Sequence, residues 1–179
     1  MDMTWIINAL LLVLCLVLGS MAYASMRAAP WVPAKRQDRQ DILSSLELKP
    51  GVKFYDLGCG DGWLACAGAR QGAHAVGYEI SLPVYLVALM KSWFASGPGT
   101  MNVRCRDFWN ADLSDADAVF VFLMPKAMER LRDKLQTECR PKTRVVSYTF
   151  PIPGWQPINV IQRPDCHKIW VYEVPAGKV

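Results

Sequence analysis

The chain has 179 residues, of which 52% are hydrophobic and 20% charged, with a net charge of +4. This composition excludes a disordered tail and a disulfide scaffold, and so modest a charge does not single out nucleic acid. The six cysteines (15, 59, 66, 105, 139 and 166) form no C-x-x-C pair and have only His74 and His167 to help them, which argues against a metal site and for small buried side chains in a reducing compartment.

Residues 3–26 carry no charge. At about 1.5 Å per residue, roughly 20 helical residues cross a hydrocarbon core of about 30 Å, so the block reads as one transmembrane helix and residues 1–29 as a membrane anchor. Asp2 precedes the block, whereas Arg27, Lys35, Arg36 and Arg39 follow it. The positive-inside rule then puts the domain at residues 30–179 in the cytoplasm, with the bilayer as a partner. The "AYA" at 22–24 has the form of a signal-peptidase site, but the block lacks the basic start of a cleaved signal.

"PWVP" at 30–33 is a stiff connector, and Ile42, Leu43 and Leu46 mark a helix that ends at Pro50-Gly51. Strands are expected at 52–58, 74–80, 102–108, 117–124 and 143–150. Helices are expected at 61–70, at 82–94 and from Pro125, the last with Met124, Met128, Leu131 and Leu135 as its apolar stripe. The helix at 82–94 is apolar on nearly every face and is predicted to be buried. After the breaker "PIPGWQP", runs at 158–162 and 168–174 are joined too tightly to be parallel. The pattern is an α/β chain: a Rossmann-like, doubly wound, mostly parallel seven-stranded sheet with an antiparallel C-terminal hairpin, preceded by the anchor.

In such sheets ligands bind beyond the carboxyl ends of the strands, above all at the first strand-to-helix turn. Here that turn is "DLGCGDG", with Gly58, Gly60 and Gly62 set two apart. Trp63 stands where a dinucleotide fingerprint wants its last glycine, and the turn carries two acids, Asp56 and Asp61. Acids repel a pyrophosphate and attract a cation. Glu79, ending the second strand, is placed to accept from both hydroxyls of a ribose. Asp107, ending the third, is placed to accept from an adenine amino group, with the Phe108 backbone N–H meeting a ring nitrogen. Taken singly, each is also compatible with a turn, a surface charge or a loop cap. Together, a ribose, an adenine and a positive centre describe S-adenosyl-L-methionine.

On "DLGCGDG", "VGYEI" and "CRDFWNADL" the chain resembles the seven-strand S-adenosylmethionine-dependent methyltransferases. The resemblance implies that Asp56, Gly58, Gly60 and Asp61 cradle the methionine end, Glu79 the ribose, and Asp107 and Phe108 the adenine. A narrower resemblance runs through "PWVPAKRQDRQDILSSLELKPG", "GYEISLPVYLVALMKSWF", "DFWNADLSDADAVFVFLMPKAMERLRDKL" and "RVVSYTFPIPGWQP". It is to the membrane-anchored mitochondrial lysine methyltransferases of ATP synthase c subunit and adenine nucleotide translocase, with their prokaryotic relatives. Ala34 departs from the serine or threonine usual after the connector. This resemblance implies methyl transfer to a lysine of a membrane protein, at the mitochondrial inner membrane in a eukaryote. Pro125, Tyr148, Phe150 and Trp155, near the ends of the fourth and fifth strands, are the expected lining of the substrate channel, with core packing as the alternative reading of the aromatics. Two other functions stay open: methylation of a lipid-soluble small molecule, and a non-catalytic cofactor-binding module. A nucleic-acid substrate is not expected, because "LMPK" stands where amino-methylating enzymes of bases carry N/D-P-P-Y/F.

Overall fold

Side chains alternate along β1 (Lys53–Leu57), sending Phe54 to one face of the sheet and Tyr55 and Leu57 to the other. The same alternation divides β4 (Ala118–Val121), where Ala118 and Phe120 join Phe54 while Val119 and Val121 join Tyr55. All four β4 residues are buried, as a central parallel strand covered on both faces requires. These relations come from a computed structural model that describes residues 3–27 and 32–177.

Seven strands form one sheet in the order β3-β2-β1-β4-β5-β7-β6. β2 (His74–Glu79) and β3 (Thr100–Cys105) lie parallel to β1 on one side, and β4 and β5 (Arg144–Tyr148) lie parallel to it on the other. The short link after β6 (Asn159–Ile161) makes it antiparallel to β7 (Ile169–Glu173), and β7 runs antiparallel to β5. The chain turns back on itself between β1 and β4, and that reversal opens the ligand crevice of doubly wound sheets.

One face is covered by α2 (Arg39–Ser45) and α3 (Trp63–Arg70), through Ile42, Leu46, Leu64 and Ala65. The other is covered by α5 (Pro125–Glu138), whose Met128, Leu131 and Leu135 are fully buried. No α-helix is described between β3 and β4 or between β5 and β6. Phe108, Trp109, Leu113, Ile152 and Trp155 from those two connections complete the apolar layer instead.

α4 (Leu82–Trp93) departs from expectation. Its Val84 and Ala88 are buried, but Leu82, Leu86, Val87, Met90 and Trp93 are exposed. α4 packs beside the edge strand β3, so only one side of it meets the core.

α1 (Thr4–Arg27) is a 24-residue helix whose described leucines are largely exposed. The side chains of Met21 and of residues 24–27 lie outside the described set, as do Asp2 and residues 28–31, on which the charge-bias and part of the connector reading fall. Among the described residues no helix is long and apolar enough to cross a membrane, so the membrane span stands as a proposal rather than an observation.

The segment before α2 is held by one buried carboxylate. Asp38 is completely buried; its Oδ2 accepts from the Tyr148 hydroxyl (2.5 Å) and from the His167 amide (3.2 Å). Burial pushes the Asp38 carboxyl up, but hydrogen bonds from Cys166, Tyr148 and His167 outweigh it and hold its pKa below the ordinary carboxylate value. Removing a partner from a buried acceptor costs about 1–3 kcal/mol. Tyr148→Phe is therefore expected to lower the unfolding free energy in urea by about that amount. A loss of a few tenths of a kcal/mol would mean that the Tyr148–Asp38 contact carries no weight.

Candidate functional site

β1 ends at Leu57, and the chain leaves the sheet through Gly58, Gly60 and Gly62, all at positive φ (83°, 55° and 74°). A side chain at each would be strained there, which is the local reason for the alternating glycines. The amides of Gly58 and Cys59 both donate to the Tyr78 carbonyl at 2.9 Å, folding the turn back over β2. That close approach needs a second bare position. A Cβ on Gly77 would lie 2.7 Å from the Cys59 sulfur.

Glu79, at the carboxyl end of β2, fastens the turn. Its Oε2 accepts from the Gly60 amide (3.1 Å) and its Oε1 from the Ser81 amide (2.7 Å). The side chain is 7% exposed, and burial raises its pKa against the opposing pull of these amides. Asp61 accepts from the Trp63 amide at the start of α3 and pairs through its other oxygen with Lys91 of α4.

Asp56 is 2% exposed and shares this neighbourhood with two other acids. Burial, then the charges of Glu79 and Asp61, push its carboxyl up to about 8. A buried acid among acids has its pKa raised because nothing positive faces it; a cation at the turn would restore it as a carboxylate. Asp56, Gly58, Gly60 and Asp61 line one cavity. A Cβ on Gly58 would meet nothing within 4 Å, so this glycine offers backbone to open space. The donor set therefore fits a ligand with a cationic end.

Asp107 follows β3 by two residues. Cys105 is in register with Glu79, so Asp107 emerges at the strand end next to that of Glu79. Its Oδ1 accepts from the Trp109 amide (3.1 Å), capping the single 3₁₀ turn Phe108–Asn110. Phe108 is buried against Trp109. Neither Asp107 nor Phe108 lines the cavity at the glycines.

The proposed channel residues fall in different places. Pro125 is exposed at the first turn of α5. Tyr148 is buried behind Phe122, edge-on at 4.8 Å, with its hydroxyl committed to Asp38. Phe150 is half-buried, and its carbonyl accepts from the Ser147 hydroxyl (2.6 Å). Trp155 is buried against Tyr172 and lines a separate cavity with Arg132 and Gln136.

Sequence reasoning missed the apolar wall of the first cavity, made by Trp63, Phe120, Phe122 and residues 32–34. The signal for Phe120 was present: Asp56 pairs with Phe120 across β1 and β4, so the two side chains share a face and Phe122 follows two residues on. The connector gave no such signal, because its path across the cavity is a tertiary contact. Residues 32–34 form one side of this partly open cavity. Among the described residues no group of three or more His, Cys, Asp or Glu side chains is arranged to hold a metal ion.

A model of the ANTKMT methyltransferase domain matches residues 56–159. The adenine nucleotide translocase lysine N-methyltransferase of Mus musculus is 36% identical over 146 residues, covering 81% of this chain and 63% of the mouse protein. This chain thus spans less than two thirds of that relative's length. A protein-lysine N-methyltransferase of Saccharolobus islandicus (strain REY15A) is 33% identical over 154 residues, covering 83% of this chain and 96% of the relative. Among solved structures, an RNA methyltransferase from Salinibacter ruber in complex with S-adenosyl-L-homocysteine superposes with a TM-score of 0.78 at 28% identity, covering 83% of this chain and 97% of the other.

The raised Asp56 gives the site a pH signature. Below about 8 the ligand-free carboxyl holds a proton, and a cationic ligand must expel it. Affinity for S-adenosyl-L-methionine should rise with pH up to about that value and then level off. Calorimetry at pH 7 in buffers of different ionisation enthalpy should register proton release, and Asp56→Asn should abolish it. Binding with no proton release in the wild type would contradict the assignment.

Proposed function

Because the chain belongs to the ANTKMT methyltransferase domain family, we propose that it moves a methyl group from S-adenosyl-L-methionine to the amine of a lysine side chain on a membrane or membrane-associated protein. The observation that carries this reading is the acid-lined glycine turn, where Asp56, Asp61 and Glu79 converge without a cation of their own beside Asp56. The cofactor, when bound, supplies an electrophilic methyl group on a positively charged sulfur. Asp56, Gly58, Gly60 and Asp61 hold its methionine end in this reading. Glu79 keeps a lone pair on each oxygen for the ribose hydroxyls while holding the turn. Asp107 and the Phe108 amide take the adenine. Residues 32–34 form one side of the cavity that takes the methionine end in this reading.

The incoming lysine, with an ordinary pKa of about 10.4, must lose a proton to attack. Desolvation in an apolar, aromatic slot disfavours the ammonium form. Tyr148 supports Phe122 from behind, and Pro125 and Phe150 are kept in this reading as lining of the substrate channel. Trp155 fixes the 149–158 connection from the far side. Alignment of the amine with the methyl–sulfur bond contributes the rest of the rate and calls for no catalytic carboxylate.

The membrane part of the proposal rests on α1. Its 24 residues contain no acid, and its described apolar side chains face outward. A bilayer is the solvent such a surface needs. With residues 1–29 as a single-pass anchor and the domain on the cytoplasmic side, tethering raises the effective concentration of other membrane proteins. The Saccharolobus relative supports a protein-lysine substrate, whereas the Salinibacter structure favours RNA as the second reading.

Incubation of membranes and total RNA with methyl-labelled cofactor separates these. Label should enter protein bands and be released as methyl-lysine on hydrolysis, and Glu79→Ala should remove it. Label recovered in RNA, or in the lipid extract, would overturn the lysine assignment.

A further inference from the structure

α4 is apolar on opposite sides. Val84 and Ala88 face the core, and Ala88 lies against the glycine turn, where a Cβ on Gly62 would come within 3.1 Å of it. Leu82, Leu86, Met90 and Trp93, spaced by four, four and three residues, form a stripe on the outer side. Trp93 is 70% exposed, and Phe94, just beyond the helix, is 81% exposed. Isolated exposed apolar residues are ordinary, but a continuous stripe ending in two aromatics marks a contact surface.

Three observations identify what it contacts. First, α4 starts where α1 passes: the Leu82 amide donates to the Ser20 hydroxyl (2.9 Å) and the two helices pack together. Both of these packed helices thus carry exposed apolar side chains. Ser20 is near the domain-proximal end of α1, so α4 sits at the level where that helix would leave a hydrocarbon core. Second, residues 80–106 contain no acid; Lys91 is paired with Asp61, and Arg104 and Arg106 leave this stretch with an excess of positive charge. A surface of that charge is attracted to anionic headgroups. Third, tryptophan and phenylalanine at the end of the stripe suit the boundary between headgroups and acyl chains.

We infer that the outer face of α4 is a membrane-docking surface, lying in the headgroup–acyl boundary of an anionic bilayer beside α1. This rests on the proposal that α1 is seated in a membrane. It goes further than a tether, because it fixes the height and orientation of the site. The inner face of the same helix touches the glycine turn through Ala88 and holds Asp61 through Lys91. Docking therefore presents the cofactor crevice at a set distance from the headgroups, and selects lysines at the membrane surface over those further away.

The test uses the full chain reconstituted in vesicles of phosphatidylcholine and phosphatidylglycerol, and in matched vesicles with brominated phosphatidylcholine. Tryptophan emission is compared between the wild type and Trp93→Phe, so that their difference reports Trp93 alone. The Trp93 difference signal is expected to lose most of its intensity in brominated vesicles. A chain that floats with the vesicles but whose Trp93 signal is unchanged overturns the docking surface and leaves the α1 anchor standing. An unquenched Trp93 that becomes buried as a dimer forms would assign the face to a second copy instead. A chain that fails to float with vesicles would overturn both the anchor and the docking surface.

Discussion

The structure turns on two hydrogen bonds made by one side chain. Glu79 accepts from the amide of Gly60 and from that of Ser81, and so ties the turn after β1 to the start of α4. Without an acceptor there, the Gly60 amide would lose its partner in a buried site. Because the carboxylate is fastened, Asp56 and Asp61 are held in the same small volume, and Asp56 bears the electrostatic cost. A site that crowds acids in a dry place is preorganised for a ligand that brings positive charge.

The strands along the chain and the antiparallel C-terminal pair were readable because their signals are local. The continuous apolar run at 118–121 could only be central, and the "RPDCH" link allowed only an antiparallel pair. The glycine turn was readable for the same reason, since positive φ selects glycine one residue at a time. What failed to show was tertiary. The apolar character of α4 was read as burial, whereas its edge position leaves one side open. Tyr148 was read toward the substrate, but its hydroxyl is committed to Asp38, over a hundred residues earlier in the chain. Residues 32–34 were read as connector and family motif, and their place in the cavity wall comes from where the chain is laid by tertiary contacts.

These long-range contacts give the N-terminal part of the chain a role in the site. α1 caps α4, α4 presses on the glycine turn, and the connector closes the cavity that the turn lines. A single path of packed contacts thus runs from the uncharged helix to the acids at the ligand crevice. In a homologous domain without such a helix, the turn and its acids would still be built by β1, β2 and Glu79 alone.

The most direct test of the central claim is the affinity of S-adenosyl-L-homocysteine for the wild type and for Glu79→Gln, measured by calorimetry. Glutamine keeps the shape but can accept through one oxygen only, so either the Gly60 or the Ser81 amide loses its partner together with one ribose hydroxyl. The account predicts binding weaker by about tenfold or more, roughly one charge-assisted hydrogen bond. Affinity unchanged within a factor of about two, with the variant folded, would show that Glu79 neither shapes the crevice nor meets the ligand.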